Sequence, residues 1–267
     1  MARKGKCALC LKDGKELQDS HFLPAGVYRV VRDETQGNPE PIKFDDEAVV
    51  QDSKQVSDHL LCSPCEQLFN RHGEDWFLRN CWRRKQFRLA SILEAATAIV
   101  AFPRIKVFHA ATLPKIDVHA LTYFSVSMFW RASVHRWRMS GRTNKGIELG
   151  PYEEEVRKYL IGESDFPQRC ALWVSLPDNI TTIAQLSLTP YGGRKDTHHA
   201  YKLAVLGVGF HLFVGNKIPK ENRDMCFVRG VGHPILKTDM LEEGILRDVH
   251  RKFALHPQLL KGPRGNR

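Results

Sequence analysis

Four cysteines arranged in two close pairs are the residues of this sequence with the clearest chemical meaning. Cys7 and Cys10 are separated by two residues, Cys62 and Cys65 have the same spacing, and 51 residues lie between the pairs. A C-x-x-C turn can direct two thiolates at one metal ion, and two such turns complete a tetrahedron. The spacing therefore predicts one structural Zn²⁺ held by four cysteines, with no ligand position open for catalysis.

The spacing and number of the cysteines are less typical of a redox pair or a disulfide framework than of a metal site. The two pairs could be unrelated, or one could form a redox dithiol, but no thioredoxin-like βαβ pattern surrounds either of them. The chain has seven cysteines, and an odd number with close pairs indicates metal binding in a reducing compartment rather than a disulfide framework. No apolar run reaches the roughly 18 residues that span a bilayer, and the N-terminus has no signal-peptide pattern. We therefore expect a cytoplasmic protein that does not enter a membrane.

The net charge of +10 is concentrated in three basic stretches. Residues 79–88, 131–145 and 251–267 each contain five Lys or Arg and no Asp or Glu, which leaves 25 basic against 30 acidic residues elsewhere. Localised positive charge predicts a polyanionic partner, most plausibly nucleic acid. Of the two nucleic acids we expect DNA rather than RNA. A basic surface without function is the alternative, and a protein partner or a homo-oligomer stays open. The residues predicted to contact nucleic acid are Arg79, Arg83, Arg84, Lys85, Arg88, Arg136 and Arg138.

The chain is predicted to consist of a small metal-stapled module and a larger α+β domain. The module is predicted over residues 1–75, and too few large apolar side chains fall between Lys4 and Lys54 for an independent core, so it needs a staple such as zinc. Residues 76–260 are predicted to form helices followed by an antiparallel sheet, an order typical of the α+β class. Residues 261–267 are predicted to be a disordered basic tail.

Apolar periodicity and end signals place the elements of the larger domain. Helices are predicted over residues 74–102, 116–141 and 150–162, with Asp117 as N-cap of the second and Gly162 ending the third. Alternating and β-branched runs bounded by Pro, Gly and Asp-Asn predict strands. These runs are RCALWVSL, ITTIAQLSL, AYKLAVLGVGFHLFVG and MCFVRG. After them, a last helix is predicted over residues 239–255. The segment YGGRKDTHHAY is predicted to be a plain hairpin turn, with phosphate contact as the alternative.

The sequence around the cysteines resembles the zinc-containing HNH, or His-Me finger, endonucleases. Residues 20–24, Ser-His-Phe-Leu-Pro, are similar to their [Asp/His]-His-Ile-x-Pro motif, and residues 61–66, Leu-Cys-Ser-Pro-Cys-Glu, to Leu-Cys-x-x-Cys-His at the start of a helix. The resemblance covers roughly residues 5–78 and implies a treble-clef module of the ββα-metal type. The S-H-x-x-P and L-C-x-x-C-E patterns also resemble a group of uncharacterised bacterial proteins over the whole chain, which implies no activity.

The resemblance to the nucleases implies roles for two residues. His21 would be the general base that takes a proton from the attacking water, a role suited to a side chain that titrates near neutral pH. Glu66 would help to hold a second divalent cation, Mg²⁺ or Mn²⁺, separate from the structural zinc. Glu74 is one more candidate ligand for this cation. The implied reaction is hydrolysis of phosphodiester bonds.

The sequence departs from the nuclease pattern at three positions. Ser20 stands where the family has Asp or His, Glu66 stands where it has His, and no asparagine precedes the second cysteine pair, where Asp58 and His59 are the nearest stand-ins. These departures leave three hypotheses. The first, which we expect, is a metal-dependent nuclease; the second is an inactive zinc protein that binds nucleic acid or a protein partner. The third places a different enzyme in residues 76–267, with the zinc module as a scaffold.

Overall fold

The computed structural model describes residues 3–34, 42–44, 49–51, 55–81, 87–139, 142–178 and 187–238, together with Arg251 and Ala254. Its mixed helices and strands confirm the predicted α+β class. The helix predicted over 239–255 lies almost entirely outside the described residues, and the basic tail over 261–267 lies wholly outside them. No helix in the described ranges is both long and apolar enough to cross a membrane.

The N-terminal region is built on a three-stranded antiparallel sheet with the strand order β1-β2-β5. Helix α1 follows β2, and helix α2 begins directly where β5 ends. Between α1 and β5, two short strands leave this region and join a second, larger sheet. The bounds are β1 Arg3–Gly5, β2 Lys15–His21, α1 Ala25–Glu34, β3 Ile42–Phe44, β4 Val49–Gln51, β5 Ser57–Cys62 and α2 Ser63–Phe69.

The single helix predicted over residues 74–102 is wrong. A π-helical turn (Asn70–Glu74) leads into helix α3 (Asp75–Asn80), and helix α4 (Arg88–Glu94) is separate. The residue before α4, Phe87, has a non-helical ψ of 88°. Beyond α4 the chain forms a hairpin of β6 (Val100–Ala101) and β7 (Ile105–His109). Its β-branched residues favour a strand over a helix, which the apolar periodicity alone did not reveal.

The second predicted helix is confirmed at its start and ends early. Helix α5 covers Val118–Val134, and the Asp117 carboxylate caps it by accepting a hydrogen bond from Ala120 N at 2.8 Å. His135 has extended backbone, and the chain continues as a short hairpin instead of reaching residue 141 as a helix. This hairpin consists of β8 (Arg138–Met139) and β9 (Arg142–Thr143). Most of α5 is buried, so it is the central helix of the described structure.

The third predicted helix is confirmed. A 3₁₀ turn at Gly150–Tyr152 leads into helix α6, Glu153–Leu160. Three glutamates in its first turn face the positive end of the helix dipole, and Gly162, at a φ of +80°, ends it in the left-handed conformation that glycine adopts without strain.

The larger sheet has nine strands in the order β4-β3-β11-β12-β13-β10-β14-β7-β6. The prediction of an antiparallel sheet is correct for most neighbours, but β10 pairs with β14 in parallel and so does β11 with β3. The strand predicted at residues 225–230 is wrong, because turn hydrogen bonds such as Gly230 N to Cys226 O fold this segment after helix α7 (Lys220–Asp224). The remaining strands are β10 Cys170–Pro177, β11 Leu188–Arg194, β12 His199–Val205, β13 Val208–Val214 and β14 Pro234–Thr238.

Helix α5 packs between the N-terminal region and the nine-stranded sheet. The Phe124 ring of α5 stacks on Phe77 of α3 with centroids 3.7 Å apart, and both rings contact Phe210 of β13. The π-helical turn lies against α5 so closely that a Cβ added at Gly73 would be 2.7 Å from Phe124 N, which explains the glycine. Buried apolar residues from Cys7 to Ile235 belong to one continuous core cluster. The division of the chain at residue 75 stays a prediction.

Candidate metal centre and the His21 site

The four cysteines predicted to bind zinc converge in the structure. The Sγ atoms of Cys7, Cys10, Cys62 and Cys65 all lie within 4.8 Å of one another, and the Cys10 and Cys62 Sγ atoms are 3.8 Å apart. A tetrahedral Zn²⁺ with Zn–S bonds of about 2.3 Å has sulfur–sulfur distances of about 3.8 Å. Within the described ranges, no other group of three or more His, Cys, Asp or Glu is placed to hold a metal. The cluster is compatible with a structural metal ion such as zinc.

Local backbone geometry brings the two pairs together. The first pair lies in the turn between β1 and β2, where Leu11 N donates to Cys7 O and Leu11 itself has a φ of +59°. The second pair lies at the junction of β5 and α2, so that Cys65 falls in the first turn of the helix. A hydrogen bond of 3.1 Å from Ala8 N to Leu60 O joins the turn that holds the first pair to strand β5.

The electrostatics of the cluster favour an anionic form. A hydrogen bond from the Cys65 thiol is the main cause that lowers the pKa of Cys7 to about 4, and the same interaction raises the pKa of Cys65. The Cys62 backbone amide also donates to Cys7 Sγ at 3.4 Å. The Cys7 thiol therefore loses its proton more readily than an isolated cysteine, and a bound metal cation would take the place of the thiol protons.

One buried arginine outside the sequence motifs contacts the first cysteine turn. Arg157 of α6 donates from Nη1 to the Leu9 carbonyl oxygen at 2.7 Å, and Leu9 lies between the first two cysteines. The same guanidinium makes a two-pronged contact with Glu154, at 2.7 and 2.8 Å, and lies 3.5 Å from Glu163. The sequence does not reveal this residue, because it is far from the cysteines along the chain and belongs to an ordinary helix pattern.

His21 is the last residue of β2 and lies opposite Ser57 of β5. It is partly exposed, and no hydrogen bond or ion pair of its ring is found within the described part of the chain. Ser20 has the opposite orientation: it is 1% exposed, and its hydroxyl accepts a hydrogen bond from Leu61 N at 3.0 Å. Adjacent residues of a strand face opposite sides, so Ser20 supports the strand pair from inside while His21 faces outward.

Glu66 lies in the first turn of α2, next to a buried charge cluster. Its side chain is 23% exposed, its Oε1 atom is buried without a hydrogen-bond partner, and its Oε2 atom lies 4.0 Å from Arg131 Nη2. Arg131 of α5 is only 1% exposed and pairs with Glu74 Oε1 at 2.7 Å. Its Nη1 donates to the carbonyl of Phe22, directly after His21, at 3.3 Å. The guanidinium therefore connects α5 to the end of β2 and to both carboxylates.

The charge state of Glu74 follows from its burial. Burial raises the pKa of Glu74, and the adjacent Arg131 guanidinium opposes this rise. Arg131 belongs to the second basic stretch of the sequence, but it is an internal counter-charge and does not face solvent. Glu74, which the sequence suggested as a further cation ligand, is already paired with this guanidinium.

Asp58 and His59, the stand-ins for the absent asparagine, face different sides of the strand pair. Asp58 lies opposite Ser20, whereas His59 is on the same side as His21. The Asp58 carboxylate accepts from His59 N at 2.7 Å and lies 3.0 Å from His135 Nε2. Partial burial works against ionisation, but these contacts outweigh it and lower the pKa of Asp58. Asp58 is thus held by the residues around it. Of these two residues, only His59 lies on the exposed face with His21.

The residues predicted to contact nucleic acid are partly placed by the structure. Arg79, Arg88, Arg136 and Arg138 are exposed, while Arg83, Arg84 and Lys85 lie outside the described residues. Phe87, Trp130 and Trp137, three aromatic residues that alternate with these arginines in sequence, are buried in the core. The segment YGGRKDTHHAY is the turn of the β11–β12 hairpin, with a hydrogen bond from Lys195 N to His198 O, as predicted.

No protein-family model, no curated protein and no solved structure matches this chain.

Proposed function

We propose that this protein is a zinc-stabilised, HNH-like endonuclease that hydrolyses phosphodiester bonds with the help of a divalent cation. The observation that carries the proposal is the arrangement of three elements that lie together at the cysteine cluster. His21 ends β2, β5 runs antiparallel to it, and α2 follows directly with Glu66 in its first turn. This strand–strand–helix order around four convergent cysteines supports a treble-clef module of the kind that the sequence resembles.

In this proposal His21 is the general base. Its ring is partly exposed at a strand end, where a phosphodiester and a water molecule have access, and the strand pair fixes its backbone position. The neutral form of its imidazole can accept the proton of the attacking water. The zinc would have no open ligand position and would only fix the position of β2 relative to α2.

Glu66 is the proposed protein ligand of the second cation. Its buried and unpartnered Oε1 atom costs free energy unless something satisfies it, and a hard cation such as Mg²⁺ or Mn²⁺ prefers carboxylate oxygen. When bound, the cation would stabilise negative charge on the phosphate and on the leaving oxygen. The exposed Arg79, Arg88, Arg136 and Arg138 would hold the backbone of the substrate, for which we favour DNA over RNA.

A second candidate function is a catalytically inactive zinc protein that binds nucleic acid or a protein partner. Two observations favour it. The Ser20 hydroxyl is used within the strand pair and so does not replace the carboxylate or imidazole of the nucleases. The Arg131 guanidinium also supplies positive charge between Glu66 and Glu74, where a cation would otherwise be needed. In either case the seven free cysteines fit the reducing conditions of the cytoplasm, where we propose that the protein acts.

The test is cleavage of supercoiled plasmid DNA and of single-stranded RNA with Mg²⁺ or Mn²⁺. His21→Ala should abolish cleavage, whereas the control His198→Ala, in the β11–β12 turn, should leave it unchanged. Glu66→Gln should raise the metal concentration needed for half-maximal cleavage. Zinc content is measured in every variant to show that the module remains folded.

The outcomes separate the two candidate functions. Cleavage lost in His21→Ala with zinc retained supports hydrolysis by this site. Cleavage that survives in His21→Ala excludes His21 as the base. DNA binding without cleavage by the unmodified protein, with zinc bound and either cation present, supports the inactive alternative.

A further inference from the structure

The β6–β7 hairpin at the edge of the nine-stranded sheet is the most apolar exposed surface in the described part of the chain. Four of its large apolar side chains are exposed: Ile99 by 54%, Val100 by 39%, Phe102 by 63% and Ile105 by 38%. All residues from Ile99 to Lys106 are exposed. Exposed apolar side chains grouped on one hairpin mark a contact site for another molecule.

Backbone hydrogen bonds make the hairpin a defined structure. Phe102 N donates to Ile105 O at 2.8 Å across a turn that contains Pro103 and Arg104. The register pairs Val100 with Val107 and Ala101 with Lys106. Because side chains alternate along a strand, Val100, Phe102 and Ile105 share one face, while Lys106 lies on the other.

The charge around the hairpin selects the kind of partner. No Asp or Glu occurs from Ala95 to Ile116, whereas Arg104, Lys106 and Lys115 fall in this segment. All three basic residues are exposed. A surface that carries both apolar and basic side chains is complementary to a partner that offers apolar surface between phosphates.

A second copy of the chain fits this surface less well. The outer strand, β6, has only two residues, which is too short a hydrogen-bonding edge for strand addition, and the positive charges of two copies would repel each other. Duplex DNA fits better. A two-stranded β-ribbon can enter a groove, and apolar side chains such as Phe and Pro act as wedges against base steps in proteins that contact DNA in this way.

We propose that the β6–β7 hairpin is a DNA-contacting element that enters a groove of duplex DNA, with Phe102 and Pro103 against the bases and with Arg104 and Lys106 on the phosphates. The class of partner rests on the proposed function, but the hairpin is independent of the chemistry at His21. It supplies a contact that none of the residues predicted from the basic stretches includes.

The experiment is fluorescence anisotropy of a labelled 24-base-pair duplex over a series of salt concentrations, without divalent cations, in the His21→Ala background to prevent cleavage. Phe102→Ala should weaken binding about tenfold and leave the salt dependence unchanged, because it removes an apolar contact. Arg104→Gln with Lys106→Gln should reduce the slope of log K against log salt by about 2, because two phosphate contacts are lost. All three side chains are exposed, so these variants should fold.

Matched controls are Val231→Ala, which truncates an 85% exposed apolar residue elsewhere, and Lys195→Gln with Lys217→Gln, which removes two exposed charges elsewhere. Both controls should bind like the parent. The proposal is overturned if the hairpin variants also bind like the parent. It is equally overturned if they change only vesicle binding, tested with phosphatidylglycerol vesicles, or only the sedimentation coefficient. If the His21→Ala parent binds no DNA, both proposals are overturned. If binding depends on the hairpin but the unmodified protein, which retains His21, does not cleave, only the proposal of hydrolysis is overturned.

Discussion

The cysteine cluster and the His21 site are neighbours on β2, β5 and α2, with the first cysteine pair in the turn that leads into β2, but they differ in how their side chains are arranged. The four thiol groups converge within 4.8 Å, as one metal ion requires. Around His21 the polar side chains diverge: Ser20 points inward to Leu61 N, His21 faces out, and Glu66 lies near Arg131. One backbone framework therefore positions four soft ligands for a single ion, and among the described residues it does not bring together a comparable set of hard ligands.

The two sites differ because different contacts determine the positions of their side chains. The cysteine cluster is formed by the turn between β1 and β2 and by the junction of β5 and α2, each of which places its own two cysteines through short-range contacts. The His21 site is determined by Arg131, which contacts the carbonyl of Phe22 although the two residues are 109 positions apart. A local pattern can thus build a metal centre while a distant side chain decides what the adjacent carboxylates can do.

The largest effect is expected from removing a cysteine ligand. Cys65→Ser should abolish stoichiometric zinc binding, because binding of a structural zinc contributes on the order of 10 kcal/mol in small domains and three thiolates hold it poorly. Bound zinc is measured by mass spectrometry of the metal and stability by thermal unfolding. The control is Cys81→Ala, which removes a buried thiol outside the cluster and should retain one zinc per chain. Full zinc content in Cys65→Ser would show that the cluster is not the metal site.

The next largest effect is expected from replacing Arg131, the distant side chain that contacts the carbonyl of Phe22. Arg131→Met should destabilise the fold by about 3–5 kcal/mol at pH 7, because it leaves buried Glu74 without its counter-charge. The pKa of Glu74 is already raised above its usual 4.5 and should rise further in this variant. The folded state then binds more protons than the unfolded state, so stability falls as the pH rises above about 4.5. Urea unfolding between pH 4.5 and 7.5 measures this.

The matched variant is Arg131→Met combined with Glu74→Gln. The neutral amide removes the uncompensated charge, so this double variant should be more stable at pH 7 than Arg131→Met alone and should lose the additional pH dependence. If the penalty of Arg131→Met is the same at all pH values, the cost comes from lost packing against Phe69 and not from charge.

The smallest effect is expected at the contact between α6 and the first cysteine turn. Arg157→Gln should weaken zinc retention about tenfold, the lower end of what loss of an outer contact to a metal site costs, because the Leu9 carbonyl loses its guanidinium partner. Zinc transfer to a chromogenic chelator measures the change. The control is Arg169→Gln, which removes an exposed ion pair between Arg169 and Glu155 of α6. This variant should transfer zinc at the same rate as the unmodified protein. Equal rates in both variants would mean that α6 does not restrain the cysteine turn.

The fold is predictable from sequence where the signal is local. The cysteine spacing, the Asp117 cap of α5 and the acidic first turn of α6 each depend on neighbours within a few residues. Prediction fails where tertiary packing overrides propensity. Residues 74–102 have apolar periodicity that fits a helix, yet they break at Phe87 and finish as a hairpin. Residues 225–230 have strand-like composition, but turn hydrogen bonds after α7 determine their conformation.

At the candidate site the limit of prediction is the pairing of distant charges. Arg131 belongs to a basic stretch of the sequence, and nothing in that stretch distinguishes a buried counter-ion from a residue that contacts phosphate. Arg157 gives no signal either, because its partner at the cysteine turn is a backbone carbonyl and carries no side-chain identity. Only the fold reveals that both arginines are internal.

The π-helical turn between α2 and α3 sets the rotational phase of two aromatic contacts. Phe69 and Phe77 both pack against α5, through Trp130 and Phe124, yet they are eight positions apart. In a regular helix eight residues leave two side chains about 80° apart around the axis, whereas seven residues bring them within about 20°. The π turn absorbs the eighth residue. Deleting one residue here would leave seven positions between the two rings, so a regular α-helix would keep both of them facing α5 and the π turn would no longer be needed.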